Sequence, residues 1–370
     1  MRILLVVGSF PPDHCGVGDY SEQLAIALSA RNDAQVGVLT SKVNGRVKSA
    51  DYEVLDPVDN WSVFEVFKII RVIMDWKPDL VHFQYPSQGF FNKFVPFVLP
   101  IILRIKGLGV IQTWHEPISV RKFFIFLLKI IGASGLVFVR PNYMDLVAKP
   151  YRKLINFFPV KIILNASSIP VSMLDSLQRK KKRDSYLCGR NRLVVFFGFI
   201  YEHKGIEKIF EVADPETDVL IIAGSLKDNN YLNLLKEFAL ERGWAEHNFK
   251  YLGYLSTSDA ADLLAVADAV VLPFVNGGGS WNTSIHGAQT QGTLVITTSC
   301  SPIGYDPRFN IYTVDPSDIN GMKSALNELS GRRIPPTLPA EKWSQIADQH
   351  IEFYRSCIKN LRKHNAVSCE

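Results

Sequence analysis

The stretch RILLVVGSFPPDHCGVGDYSEQLA (Arg2–Ala25) contains the smallest complete unit of this chain's architecture. Its opening apolar run is short and unbroken, the pattern of a strand buried on both faces in a parallel sheet. Leu24, Ala25 and Leu28 then fall on one side of a helix expected from Tyr20 to Ala30. The connection between them is longer than a plain strand-to-helix link needs, and it holds two prolines, Asp13, His14, Cys15, Gly16 and Gly18. Asp19 with Glu22 three residues on forms a candidate capping box. That would place the glycines just before a helix N-terminus, where free N–H groups and the helix dipole attract phosphate or another anion. A tight entry turn without a ligand explains the same glycines, and the residues alone leave both readings open. The stretch GVGDYS is not a dinucleotide fingerprint, because its third glycine is missing, and no GK[ST] phosphate loop occurs in the chain.

The same alternation continues along the chain. AQVGVLT, DLVHFQ, GVIQTWHE, GLVFVR and KIILN read as further strands, with a helix near Val63 to Met74, so a parallel sheet with crossover helices is expected over 1–170. The pattern restarts near Asn191 with RLVVFFGF, DVLIIAGS, FKYLGYL, AVVLPFV and LVITT, with helices at Ile206 to Ala213, Tyr231 to Gly243 and Ser258 to Val266. This predicts a second doubly wound domain over 191–340. Residues 341–370 are expected as a terminal helix packing back towards the first domain, with Trp343, Ile346, Ala347, His350, Ile351 and Tyr354 on one face. Two such α/β halves facing a central cleft hold ligands at the carboxyl ends of their strands.

A chain of 370 residues suits two domains, and 47% hydrophobic with 21% charged residues is a globular composition. Five scattered cysteines without a CxxC pair favour a reduced, cytoplasmic protein over a disulfide framework or a metal site. The N-terminus, with one basic residue and a Pro pair after its apolar run, does not read as a secretory signal. A formal charge of +5, mostly dispersed, does not call for a nucleic-acid partner. The one basic run, Arg179 to Asp184, reads as a solvated linker or surface loop.

Two more strand ends carry chemistry. In VVFFGFIYEHKGIEKIF, Gly198 closes a strand and Lys204 opens a helix, within reach of a bound diphosphate. In LPFVNGGGSWNTSIHGAQTQG, the glycine cluster with Gly278 and Gly279 precedes Ser280, Asn282 and Thr283, which are placed to cap the next helix, and glycine amides can approach an anion closely. Plain solvation of the lysine and a ligand-free turn are the alternatives. His115 and Glu116 end another strand, where a structural histidine is as common as a catalytic one. Neither HExxH nor DxD occurs, so no metal and no cofactor are expected.

These strand ends together resemble the GT-B glycosyltransferases of the retaining family 4 type. PPDHCGVGDYSEQLA resembles that family's glycine loop, DLVHFQY and TWHE its later N-domain strands, FFGFIYEHKG its lysine element, and YLGYLSTSDAADLLAVADAVVLPF its donor domain. The resemblance implies a nucleotide-sugar donor held by the C-terminal domain, Gly16 and Gly18 near its phosphates, Lys204 neutralising the leaving diphosphate, and His115 positioning the transferred sugar without acting as a base. It implies no metal, since preorganised cationic and amide donors supply the stabilisation. One departure stands out. The family's two glutamates, eight positions apart, fall on Gly279 and Gly287, so sugar and ribose recognition passes to groups such as Ser280, Asn282, Thr283 or His286 or is lost.

Gly89 to Val110 and Val120 to Gly135 are intensely apolar and interrupted by Lys93, Arg104, Lys106, Arg121, Lys122 and Lys129. Both are too short or too broken to span a membrane, which takes about 20 apolar residues. They fit core helices, and they equally fit an interfacial surface on anionic lipid. The expected activity is transfer of a sugar to a glycan or lipid-linked acceptor by a protein peripheral to the cytoplasmic membrane face. A sugar-nucleotide epimerase or phosphorylase, and a noncatalytic glycan-binding protein, remain as rivals.

Overall fold

The computed structural model describes all residues except 47–48, 119–122, 227–228, 302 and 368–370. The chain forms two compact units, one of Met1–Asn165 with Ala340–Glu370 and one of Ala166–Pro339.

The first unit is built on β1 (Arg2–Val6), β2 (Gln35–Ser41), β3 (Glu53–Val58), β4 (Leu80–Tyr85), β5 (Gly109–Trp114), β6 (Gly135–Phe138) and β7 (Val160–Ile162). They form one all-parallel sheet in the order β3-β2-β1-β4-β5-β6-β7. β1 lies between β2 and β4, with Leu5 opposite Val38 on one side and His82 on the other. The central strands are covered on both faces, which is why their sequences are runs of apolar residues and not alternations. β3 lacks a clear apolar pattern and contains Pro57; it sits at the sheet edge, the position where a missing N–H is tolerated.

The first helix runs Gly16–Ser29 and starts four residues earlier than the apolar pattern indicated. The expected Asp19–Glu22 capping box is therefore absent. Cys15 is the N-cap and caps with no side chain, while Asp19 lies in the first turn. The apolar stretches after β4 and β5 become the helices Val95–Ile105 and Phe123–Ile130, which bury Leu99, Leu103, Phe126 and Ile130 against the sheet. The terminal helix, Pro339–Val367, buries Trp343, Ile346, Ala347, His350, Ile351 and Tyr354, the face its sequence predicted.

The second unit repeats the plan. β8 (Arg192–Phe197), β9 (Asp218–Ala223), β10 (Phe249–Gly253), β11 (Ala269–Leu272), β12 (Val295–Thr298), β13 (Gly304–Asp306) and β14 (Ile311–Val314) lie in the order β10-β9-β8-β11-β12-β14-β13. Only β13 is antiparallel. The β13–β14 hairpin has no counterpart in the sequence reading, because three- and four-residue strands show too little periodicity. The basic run Arg179 to Asp184 is a correction as well. It lies in the helix Ser176–Leu187, which opens with a reciprocal Asp175/Gln178 capping box. Two of its charges are paired, Lys182 with Asp262 and Arg183 with Asp268, both at 2.8 Å.

In each sheet the strand order reverses beside the first strand, between β1 and β4 and between β8 and β11. In doubly wound sheets ligands bind outside the carboxyl ends at that reversal.

Candidate active site

In the second unit the segments that leave β8 and β11 press against each other through glycines. A Cβ on Gly198 would stand 2.5 Å from the Ser284 hydroxyl oxygen, and one on Gly205 would collide with the Pro273 carbonyl oxygen. Gly205 has φ +64°, a left-handed conformation that costs a glycine nothing and turns the chain directly after Lys204. The Lys204 ammonium stands 4.7 Å from the centroid of the Phe274 ring. The same ring covers Gly278, where a Cβ would come within 2.6 Å of it. Lys204 and the glycine cluster, 74 positions apart in sequence by subtraction of Lys204 from Gly278, thus share one buried aromatic ring.

The glycine amides do not serve as the sequence suggested. The Gly277 N–H donates to the Phe274 carbonyl at 3.2 Å and the Gly278 N–H to the Thr298 carbonyl at 2.6 Å. The Gly279 N–H donates to Asn282 Oδ1 at 2.9 Å. All three have acceptors in the protein, two within the turn and the third on β12, so the reading of Gly278 and Gly279 as amide donors to an anion is corrected. Small size is what the position demands: any side chain at Gly279 would run into the indole of Trp281. His286 donates from Nε2 to the Ser280 carbonyl at 2.9 Å and pins the turn from the other side. What the turn presents outward is Ser280 and Thr283, both exposed, and the start of the helix Thr283–Thr290. Asn282, its N-cap, makes no side-chain cap. The first-turn N–H groups of a helix lack intrahelical acceptors and carry its positive dipole end.

At Gly287 a Cβ would fit at 3.4 Å from Ile169 and Leu264 and 3.7 Å from Phe197. That space is apolar, so a carboxylate directed into it would be buried without a partner.

In the first unit the turn after β1 is equally tight. Gly18 is buried, and a Cβ there would come 2.6 Å from the Ser9 carbonyl oxygen. Gly16 opens the helix and is exposed. The Ser9 N–H donates to the Ser87 hydroxyl at 2.9 Å, which joins the loops leaving β1 and β4. Asp19 is pushed up to about 7 by burial and by neighbouring Glu22. Burial also raises Glu22, against the hydrogen bond from the Tyr52 hydroxyl at 3.3 Å.

His115 follows β5, its N–H bonded to the Tyr85 carbonyl at 2.7 Å. Its Nε2 lies 3.0 Å from Gln84 Oε1, and its ring meets Tyr20 edge-on with centroids 4.6 Å apart. Tyr20 belongs to the helix that Gly16 and Gly18 begin, so the fold brings that helix start and His115 to one place. Burial, with His350 nearby, lowers the imidazole to about 3 and keeps it neutral. Glu116 is paired with Arg140. Two residues the sequence reading passed over, Gln84 and Trp281, touch these groups directly. Neither lies in a motif that would have singled it out.

Among the described residues, no group of three or more His, Cys, Asp or Glu is placed to hold a metal ion, and no helix is long and apolar enough to cross a membrane. Of the basic residues in the apolar stretches, Lys129 turns onto the Phe97 and Trp114 rings at 5.0 and 5.9 Å. Arg121 and Lys122 lie outside the described residues.

Residues 191–331 match the family model for glycosyl transferases group 1. No curated protein matches the chain. Among solved structures the chain is similar to sucrose-phosphate synthase from Thermosynechococcus elongatus, at 14% identity and TM-score 0.69 over 99% of this chain and 100% of that one. It is similar to HepE of Anabaena in complex with UDP and glucose, at 16% identity and TM-score 0.66 over 98% and 100%. It is also similar to the catalytic domain of starch synthase IV from Arabidopsis thaliana bound to ADP and acarbose, at 13% identity and TM-score 0.68 over 97% and 99%. The structural likeness establishes the fold, GT-B, and the family match places a glycosyl transferases group 1 segment in the second unit.

Proposed function

We propose that the chain transfers a hexose-like sugar from a nucleotide-sugar donor to a glycan or lipid-linked acceptor, as a retaining, metal-independent enzyme of the family 4 type. The observation that carries this reading is the convergence of Lys204, Gly198 and the uncapped start of the helix Thr283–Thr290 at the β8/β11 reversal. A cation and a helix N-terminus at one point suit a diphosphate leaving group, whose developing charge they stabilise without reorganisation. The similar proteins bound to UDP and to ADP support a nucleotide donor. In this reading Ala166–Pro339 holds the donor through Lys204, Ser280, Asn282 and Thr283. Met1–Asn165 holds the acceptor, Gly16 and Gly18 approach the phosphates, and neutral His115 positions the sugar. Exposed Phe91, Phe94, Phe123 and Phe124 with Lys106 support residence at the cytoplasmic membrane surface and a lipid-linked acceptor.

A panel of UDP-, GDP- and ADP-sugars tests the donor assignment by thermal shift, because a ligand that binds only the folded state raises the midpoint by mass action. At least one member is expected to stabilise the protein, and a flat response to all of them refutes the reading. The glycines at 279 and 287 favour a second one, a noncatalytic nucleotide- or glycan-binding protein. Stabilisation by a sugar nucleotide without release of nucleoside diphosphate in the presence of glycan acceptors would select it. Analysis of the sugar product separates transfer from epimerisation.

A further inference from the structure

β4 and β5 carry His82, Gln84, Gln112 and Thr113 into the core of the first unit, and all four are fully buried. Buried polar groups are costly unless hydrogen-bonded, so a retained set calls for a use. His82 places Nδ1 2.6 Å from the Tyr354 hydroxyl and Nε2 2.7 Å from the Thr113 hydroxyl. The amide nitrogen of Gln84 lies 3.4 Å from Nδ1 and 3.3 Å from Nε2 of the same ring. Near-equal distances put that nitrogen over the ring face, which attracts an N–H and repels a carbonyl oxygen. Gln84 Oε1 is therefore the atom 3.0 Å from His115 Nε2, and that nitrogen must carry the proton. Tyr20, edge-on to the ring, holds its plane.

We infer that Gln84, backed by His82 and by Tyr354 of the terminal helix, is a positioning residue that locks His115 as the Nε2–H tautomer, so that Nδ1 accepts a hydrogen bond from a hydroxyl of the bound sugar. The inference rests on the reading of His115 as a sugar-positioning group. It makes the last helix of the chain part of the apparatus that orients the substrate, and it demands a sugar with a hydroxyl at the contacted carbon.

The test uses the full chain labelled with 15N-histidine, with the His115 resonances identified by their loss in His115→Asn. Long-range 1H–15N spectra report which imidazole nitrogen is protonated. The Nε2–H form is expected in the wild type, lost or mixed in Gln84→Leu, and retained in Gln84→Glu, whose carboxylate still accepts from Nε2. With the UDP-, GDP- and ADP-sugar panel, Gln84→Leu and Tyr354→Phe are expected to lower kcat about tenfold or more while the donor KM moves less than about twofold, the mark of lost orientation and not lost binding. If Gln84→Leu fails to fold, Tyr354→Phe carries the turnover comparison. A wild-type Nδ1–H form, or a folded Gln84→Leu with the tautomer and kcat unchanged, overturns the inference. Unimpaired turnover in His115→Ala would instead remove His115 from the proposed function, a result distinct from a crippled His115→Ala beside an active Gln84→Leu.

Discussion

Lys204 rests on the face of Phe274, and an aromatic face holds a cation without neutralising it. The contact with the ring contributes only about 0.5–2 kcal/mol to stability. Lys204→Ala should therefore lower turnover by about two to three orders of magnitude, as loss of a preorganised electrostatic donor does. The denaturation midpoint should fall only slightly, with Lys204→Arg between the two in turnover; nucleoside diphosphate release assays and urea unfolding check both. Gly287 gives a second test. Gly287→Ala has room at 3.4 Å and improves helix propensity, so it should be neutral or stabilising. Gly287→Glu sends a carboxylate towards Ile169, Leu264 and Phe197 and should cost about 2 kcal/mol or more in urea unfolding. The positions of Lys204, His115 and Gly198 after strands could be read from the sequence, because strand ends announce themselves. Trp281 and Gln84 were not singled out, since their importance comes from what lies across from them.

The buried histidines link two elements, the strand β4 with the loop after β5 on one side and the terminal helix on the other. Burial depresses His82 well below the ordinary histidine range, His115 to about 3 and His350 to about 4. The unfolded chain takes up these protons near pH 6.5 and the folded one does not, so their contribution is present above that pH and is lost as pH falls towards 4 and 3. Asp19 has the opposite sign: its raised value, about 7, favours the folded state at low pH and withdraws that support as pH rises from about 4 to 7. Glu22, also raised by burial, acts in the same direction as Asp19, and the three histidines outweigh the two carboxyl groups, so stability should climb between pH 4 and 6.5. Asp19→Asn should be most stabilising, relative to wild type, above pH 7. Urea midpoints across pH 4 to 8 decide it. The terminal helix also sits close to β6, where a Cβ on Gly135 would come 2.7 Å from the Cys357 sulfur and 2.8 Å from the Phe353 ring. Gly135→Ala should destabilise by about 1–3 kcal/mol, as overpacking does, and Cys357→Ala should restore part of the loss when the two are combined.

At the level of the whole chain, the first unit is closed by residues that come last. Its sheet is complete by Ile162, yet Trp343, Ile351 and Tyr354 fill its core from the terminal helix. Truncation after Pro339 should unfold this unit and leave the transition of Ala166–Pro339 in place, since each unit has its own hydrophobic cluster. Calorimetry of the truncated chain should show one transition whose midpoint still responds to the nucleotide sugar that stabilises the intact protein; two surviving transitions would contradict it. The architecture itself could be read from residue order, because the strand-and-helix alternation and its restart near Asn191 are local patterns of burial, and burial on both faces leaves a periodicity that a single chain displays. Helix starts, the pairing of the Arg179 to Asp184 run and the edge strands were not legible, because they depend on which acceptor or counter-charge the fold supplies. The same divide runs through the site. Residue types at strand ends pointed to anion chemistry, but the use of the Gly277 to Gly279 amides, the shared Phe274 ring and the Gln84 contact to His115 arise only when segments far apart in sequence meet, for a hydrogen bond is settled by the position of both its partners.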